Sequence, residues 1–192
     1  MRLTINHNGG NKKMESFELF KTFMLSLGIM FGTVSAPHAA DAAGKLPDQW
    51  QGKVSYVHDG DTITVSKGKD AIRVRLYGID CPESGQPGGA EAADFTKKWI
   101  AQNAATVNVY PVDRDQYGRI VAQVRNGCNC RILNLDLVTY GQAWVFSDFC
   151  SDKGFCNVAK QREKSARKHH LGVWKNDHPT APWEWRREHK HK

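Results

Sequence analysis

Four acidic residues lie in two short, turn-like segments, and their types fit a site for a hard metal ion. Asp59 and Asp61 flank a glycine, and Asp80 and Glu83 follow a strand-like stretch. Convergent carboxylate oxygens are what a cation such as Ca²⁺ requires. The sequence has no Ser/His/Asp pattern with useful spacing, so water attack assisted by a carboxylate fits better than a covalent route. Taken alone, however, Asp-Gly-Asp is more often only a turn.

Two arginines, Arg75 and Arg119, are candidate phosphate-binding residues. A guanidinium group binds phosphate through two hydrogen bonds and stays charged at any working pH. Fixed donors of this kind stabilise the charge that builds on phosphate oxygens during phosphodiester cleavage. The simpler alternative for Arg75 is one charge on a solvated strand face, like Arg73. For Arg119 it is a surface charge of a hairpin.

Aromatic and basic residues accompany these groups. Rings on which bases could stack are Tyr77, Tyr117, Trp144 and Phe146. We assign Tyr117 to substrate binding, whereas core packing is favoured for Trp144 and Phe146. The chain has a net charge of +7 and a pI near 9.2, which suggests a polyanionic partner without showing that it is nucleic acid.

Hydrophobic periodicity and turn residues predict the elements that position these groups. Two strands joined by a sharp bend are predicted within Gly52–Ser66. Further strands are predicted at Ile72–Tyr77, Thr106–Val112 and Arg119–Arg125, with a short one at Ala143–Phe146. The predicted helices are Ala90–Asn103, Ile132–Tyr140 and Asn157–His170. Several short strands covered by helices indicate an α+β, mainly β fold, a small OB-type barrel.

The N-terminal 42 residues resemble a processing segment. A basic start precedes the uncharged stretch Phe23–Ala36, and Ala40-Asp41-Ala42 fits a cleavage site. We expect a signal peptide at 1–42, a domain at 43–176 and a basic, Trp-containing tail at 177–192. An uncleaved anchor is the alternative. Cleavage would give a secreted or periplasmic protein with no stable membrane association.

Five cysteines all lie in the expected mature chain. Export would permit disulfides, and the odd number leaves at least one thiol unpaired within the chain. Cys150 and Cys156 could close a short loop, whereas Cys128 and Cys130 could pair with each other or elsewhere. The sequence leaves this connectivity open. The spacing gives no support for structural zinc.

Three motifs occur in one order along the chain and resemble those of the thermonuclease, or staphylococcal nuclease-like, family. They are HDGDT at 58–62, RLYGIDCPE at 75–83 and DQYGR at 115–119. Segments 90–100, 134–144 and 171–174 are also similar to that family. The resemblance extends over Lys53–Trp174, and three ordered motifs are far more specific than one.

The resemblance implies a five-stranded OB-type barrel with three helices and a calcium site. Asp61 and Asp80 would bind Ca²⁺ by their carboxylates, Cys81 by its backbone carbonyl, and Asp59 would lie in the outer shell. It further implies cleavage of DNA and RNA on the 5′ side of the phosphate, which leaves 3′-phosphates. We expect the protein to be a monomer.

The resemblance also implies the catalytic roles. Glu83 would act as general base or orient the attacking water. Arg75 would bind the scissile phosphate, and Arg119 would stabilise the transition state. A secreted, calcium-dependent nuclease is therefore the leading hypothesis. A non-catalytic nucleic-acid-binding OB module would be expected to lack some of these residues, and a structural calcium-binding domain leaves the two arginines unexplained.

Overall fold

A computed structural model describes residues 45–189, so the predicted signal peptide and its cleavage site lie outside the described residues. Five strands close into a barrel, which confirms the α+β, five-stranded prediction. These strands are β1 (Trp50–Val57), β2 (Thr62–Lys67), β3 (Asp70–Leu76), β5 (Thr106–Arg114) and β6 (Ile120–Asn126).

The barrel order is β1-β2-β3-β6-β5, and β5 pairs with β1 to close it. All neighbours are antiparallel except β3 and β6, which are parallel. Apolar residues at every second position, such as Val74, Ile120 and Ala122, point into the barrel and are fully or almost fully buried. The intervening positions, including Arg75, therefore face outward.

A second, two-stranded sheet fixes the segment that carries Asp80. β4 (Ile79–Asp80) pairs antiparallel with β7 (Trp144–Val145), and Asp80 lies opposite Trp144. The Phe146 N–H extends this contact by donating to the Gly78 carbonyl at 3.0 Å. The chain leaving β3 is thus held against the region after the second helix.

Four α-helices are present in the described residues, one more than the three expected. They are α1 (Gly89–Ala101), α2 (Leu133–Thr139), α3 (Lys153–Lys168) and α4 (Pro182–Glu188). The fourth lies within the segment expected to be a tail, where no helix is predicted from the sequence. Pro182 occupies its first turn, where the fixed φ of proline suits a helix, and Glu184 accepts the Ala181 N–H at 3.4 Å.

Helix α4 packs against the rest of the protein. Trp183 stacks on Phe146, with ring centroids 5.3 Å apart and an interplanar angle of 7°. Ala181, at its start, is buried in a small cluster with Trp144, Val173 and Trp174. The start of α4, within the segment expected to be a tail, therefore packs against the rest of the protein.

The structure pairs Cys128 with Cys130 and Cys150 with Cys156. Cys81 is the free cysteine of the described part of the chain, and it is buried. No helix between residues 45 and 189 is long and apolar enough to cross a membrane.

A buried amide joins α2 to the barrel and makes a testable contribution to stability. The Asn134 side chain accepts the Val124 N–H at 3.0 Å and donates to the carbonyls of Tyr77 (3.0 Å) and Ala122 (3.1 Å). Asn134→Ala should lower the free energy of unfolding by about 2–4 kcal/mol, because it removes three buried hydrogen bonds and the Asn134 partner of the Val124 N–H and the Tyr77 carbonyl. Urea denaturation measures this. The exposed Asn157→Ala is the control, and equal effects of the two changes would contradict this role.

Candidate active site

Two buried carboxylates converge on one guanidinium. Arg75 lies on β3 opposite Thr62 of β2. Its Nη1 pairs with Asp61 Oδ1, and its Nη2 donates to Asp80 Oδ1 at 2.6 Å. Asp61 and Asp80 are 1% and 0% exposed, so Arg75 is the ion-pair partner of two carboxylates that are buried from solvent. The structure therefore brings together three residues that lie in two separate sequence motifs.

The Asp-Gly-Asp turn is tied directly to the second acidic segment. Asp61 Oδ2 accepts the Cys81 N–H at 2.6 Å, and Asp59 Oδ1 accepts the Asp61 N–H at 3.0 Å. A Cβ at Gly60 would lie 2.8 Å from both the Cys81 Sγ and the Ala92 Cβ, so only glycine permits this approach. The Asp-Gly-Asp segment is thus not only a turn, because it also fixes the position of Cys81.

A third arginine, which the sequence does not single out, completes the cluster. Arg186 of α4 donates from Nη1 to Glu83 Oε1 at 2.6 Å and to Asp80 Oδ1 at 3.1 Å. Its Nη2 donates to Asp80 Oδ2 at 2.7 Å. Hydrogen bonding to Asp80 raises the pKa of Arg186, burial partly offsets this, and hydrogen bonding to Glu83 adds to it.

The donor chemistry fits a hard cation. The carboxylates of Asp61 and Asp80 lie close together, since both contact the Arg75 guanidinium, and carboxylate oxygens are the ligands that such a cation prefers. Burial raises the pKa of the Cys81 thiol well above its usual range, which disfavours a thiolate ligand here. Within residues 45–189 no group of three His, Cys, Asp or Glu side chains is arranged to hold a metal. Carbonyl groups and water would have to supply the remaining ligands.

Arg119 immediately precedes β6, the strand that pairs with the β3 strand of Arg75. Val121 of β6 is opposite Arg75, and Arg119 precedes Val121 by two residues. The Arg119 Nε donates to Asp115 Oδ2 at 2.5 Å. Asp115 Oδ1 also accepts the N–H groups of Tyr117 (3.0 Å) and Arg119 (2.9 Å), so one carboxylate shapes the whole loop.

The aromatic residues separate into two groups. Tyr117 is 75% exposed, with the Arg119 guanidinium 5.4 Å from its ring, and is open to a base. Trp144 is buried edge-on to Trp174, and the half-buried Phe146 is covered by Trp183, which confirms packing as their role.

Three site residues are not predicted from the sequence: Gln86, Asp115 and Arg186. Gln86 is buried; its Oε1 accepts the Glu83 N–H at 3.1 Å and its Nε2 donates to the Thr180 carbonyl at 2.7 Å. A sequence signal exists for Asp115, because Asp at the start of a tight turn commonly accepts the backbone N–H two residues later. No local signal points to Gln86.

Comparison with known proteins agrees with this geometry. A sequence profile described as staphylococcal nuclease homologue matches residues 73–176, a range that contains Arg75, Asp80, Glu83 and Arg119 but begins after Asp61. An uncharacterized endonuclease of Escherichia coli is 37% identical over 137 residues, which are 70% of this chain and 84% of that protein.

Two further relatives are nucleases by name. A micrococcal nuclease of Shigella flexneri is 34% identical over 164 residues, 82% of this chain and 87% of its own length. A staphylococcal-like nuclease of Arabidopsis thaliana is 38% identical over 116 residues, 60% of this chain and 33% of its own. These similarities support a nucleic-acid hydrolase. Since the profile matches more than half of the chain and the bacterial relatives are similar over most of their length, this chain belongs to the staphylococcal nuclease family.

Proposed function

We propose that this protein is a secreted, monomeric, calcium-dependent nuclease that hydrolyses phosphodiester bonds of DNA and RNA and leaves 3′-phosphates. The observation that carries the proposal is the convergence of Asp61 and Asp80 on Arg75, with Glu83 beside Asp80. Acidic ligands, a water-accessible carboxylate and phosphate-binding arginines are the set that hydrolysis of a phosphodiester needs.

Asp61, Asp80 and the Cys81 carbonyl would hold the cation. When bound, it would polarise the scissile phosphate and help to neutralise its charge. The Glu83 side chain is 39% exposed and can meet water, which it would orient or from which it would take a proton. Arg75 and Arg119 would hold the non-bridging phosphate oxygens, and breakage of the P–O5′ bond would leave the phosphate on the 3′ side. Tyr117 would stack on a base of the substrate.

Digestion of linear DNA and RNA by the mature protein, with Ca²⁺ and then with excess chelator, tests the proposal. Calcium-dependent degradation that yields 3′-phosphate ends is expected. Binding of DNA without cleavage under any divalent metal would instead favour the non-catalytic OB module. Degradation that survives the chelator would contradict the calcium dependence alone.

Secretion is supported by the N-terminal sequence pattern and by the two cysteine pairs, which suit an oxidising compartment. Expression of the full chain in a bacterial host should place the protein outside the cytoplasm with Ala43 as its first residue. Mass spectrometry of the intact protein checks this. A chain that keeps residues 1–42 would contradict cleavage.

Asp115 is expected to act as a positioning residue for Arg119. Asp115→Ala should lower kcat by about 10- to 100-fold, because small displacements of a phosphate-binding group are costly. Asp115→Asn keeps an oxygen for the two backbone N–H groups and should recover much of this loss. Steady-state kinetics on single-stranded DNA measures both, with the exposed Asp113→Ala as control. Equal losses in all three variants would exclude a specific role.

A further inference from the structure

Helix α4 places a positive charge on the carboxylates that a cation would need. Arg186 contacts both oxygens of Asp80 and Oε1 of Glu83, at 2.6–3.1 Å. Arg75 contacts Asp80 Oδ1 as well. Both oxygens of Asp80 therefore accept hydrogen bonds from guanidinium groups, so their lone pairs are already used by Arg75 and Arg186.

Three separate contacts hold Arg186 in this position. The buried Gln86 links the Glu83 backbone to the Thr180 carbonyl, two residues before α4 begins. Trp183 stacks on Phe146, which follows the β7 strand that pairs with Asp80. Ala181 is buried in the cluster of Trp144 and Trp174. The helix thus docks through hydrogen bonds and apolar contacts that do not involve the arginine.

We propose that Arg186 of α4 competes with the divalent cation: it binds the carboxylates of Asp80 and Glu83 until the metal displaces it. This inference rests on the proposed metal-dependent function and concerns its regulation. A cation and a guanidinium bound to the same Asp80 oxygens would repel each other and compete for the same lone pairs. Metal binding therefore has to break the Arg186 contacts first.

Two consequences follow from this competition. The apparent affinity for metal is reduced by the fraction of molecules in which Arg186 is displaced. Glu83 Oε1 also accepts a hydrogen bond from Arg186, so this oxygen is engaged although the side chain is 39% exposed. Displacement of Arg186 by the metal would thus free this oxygen of the proposed base in the same step.

Calorimetric titration of the metal-free mature protein with Ca²⁺ alone tests the competition. Arg186→Gln should bind Ca²⁺ about tenfold more tightly than the wild type, because the competitor is gone. Arg186→Lys, which keeps the charge but loses the planar fork, should lie between them. Arg187→Gln is the matched control: it removes one charge from the neighbouring, exposed position of the same helix. It should leave the affinity nearly unchanged.

The calcium-induced rise in Tm gives a second readout that needs no activity. It should be larger for Arg186→Gln than for the wild type and Arg187→Gln. Equal or weaker calcium binding by Arg186→Gln overturns the inference, and so does equal tightening in both glutamine variants. Failure of every protein to bind Ca²⁺ overturns both the inference and the calcium dependence. Tighter binding by Arg186→Gln without any DNA cleavage leaves the competition standing and overturns the nuclease proposal.

Discussion

Replacement of Arg119 by alanine is expected to lower kcat for DNA hydrolysis by about a thousandfold, with a smaller change in KM. Negative charge grows on the phosphate oxygens in the transition state, and a fixed guanidinium that meets it acts mainly there rather than in the bound substrate. The structure gives Arg119 the required rigidity, since Asp115 contacts both its Nε and its backbone N–H. Single-turnover measurements on short DNA at saturating Ca²⁺ would isolate the chemical step.

The control for Arg119 must remove a charge from the same surface without touching the site. Arg73 fulfils this, because it lies exposed on β3, two residues before Arg75 and on the same outward face. Arg73→Ala should change the rate by less than about tenfold, through general attraction of nucleic acid. If both variants lose the same activity, the role of Arg119 reduces to surface charge and the assignment fails.

The barrel could be predicted because the alternation of apolar and polar residues within a strand shows which of its sides is buried. Val74 and Leu76 alternate with Arg73 and Arg75, and this period of two distinguishes the buried side from the outward side. The parallel pairing of β3 with β6 produces no such pattern in either strand, because it depends on closure of the whole barrel. The bulge between Pro111 and Asp113 is likewise a property of pairing rather than of the strand itself.

The same distinction applies to the site. Asp61, Asp80 and Glu83 are close in sequence to the turns and strand ends that position them, so their motifs are visible. Arg186 lies 106 residues from Asp80, and its position depends on the docking of α4. Pro182 with Glu184 two residues later is a helix-start pattern, but the surrounding Trp, Pro and charged residues obscure it. Even a correct helix prediction would not have shown which surface α4 contacts.

Substitution of Glu83 by glutamine is expected to lower kcat by about two to four orders of magnitude, the range in which a positioned proton acceptor contributes. Glutamine keeps the size of the side chain and an oxygen that can accept from Arg186, so the fold around Asp80 should persist. Calcium binding should stay close to that of the wild type, because Asp61 and Asp80 remain. Loss of rate without loss of metal would therefore separate the role of Glu83 from that of the metal ligands.

The exposed Glu91→Gln, on the neighbouring helix α1, is the matched control and should retain full activity. Calcium titration of Glu83→Gln must accompany the kinetics, because Glu83 and Asp80 share Arg186 as a partner. A variant that binds calcium normally and cleaves DNA at the wild-type rate would remove Glu83 from the mechanism. Since Asp61 and Asp80 would then be committed to the metal, the proton would have to pass directly to solvent, and the Arg186–Glu83 contact would have no part in the mechanism.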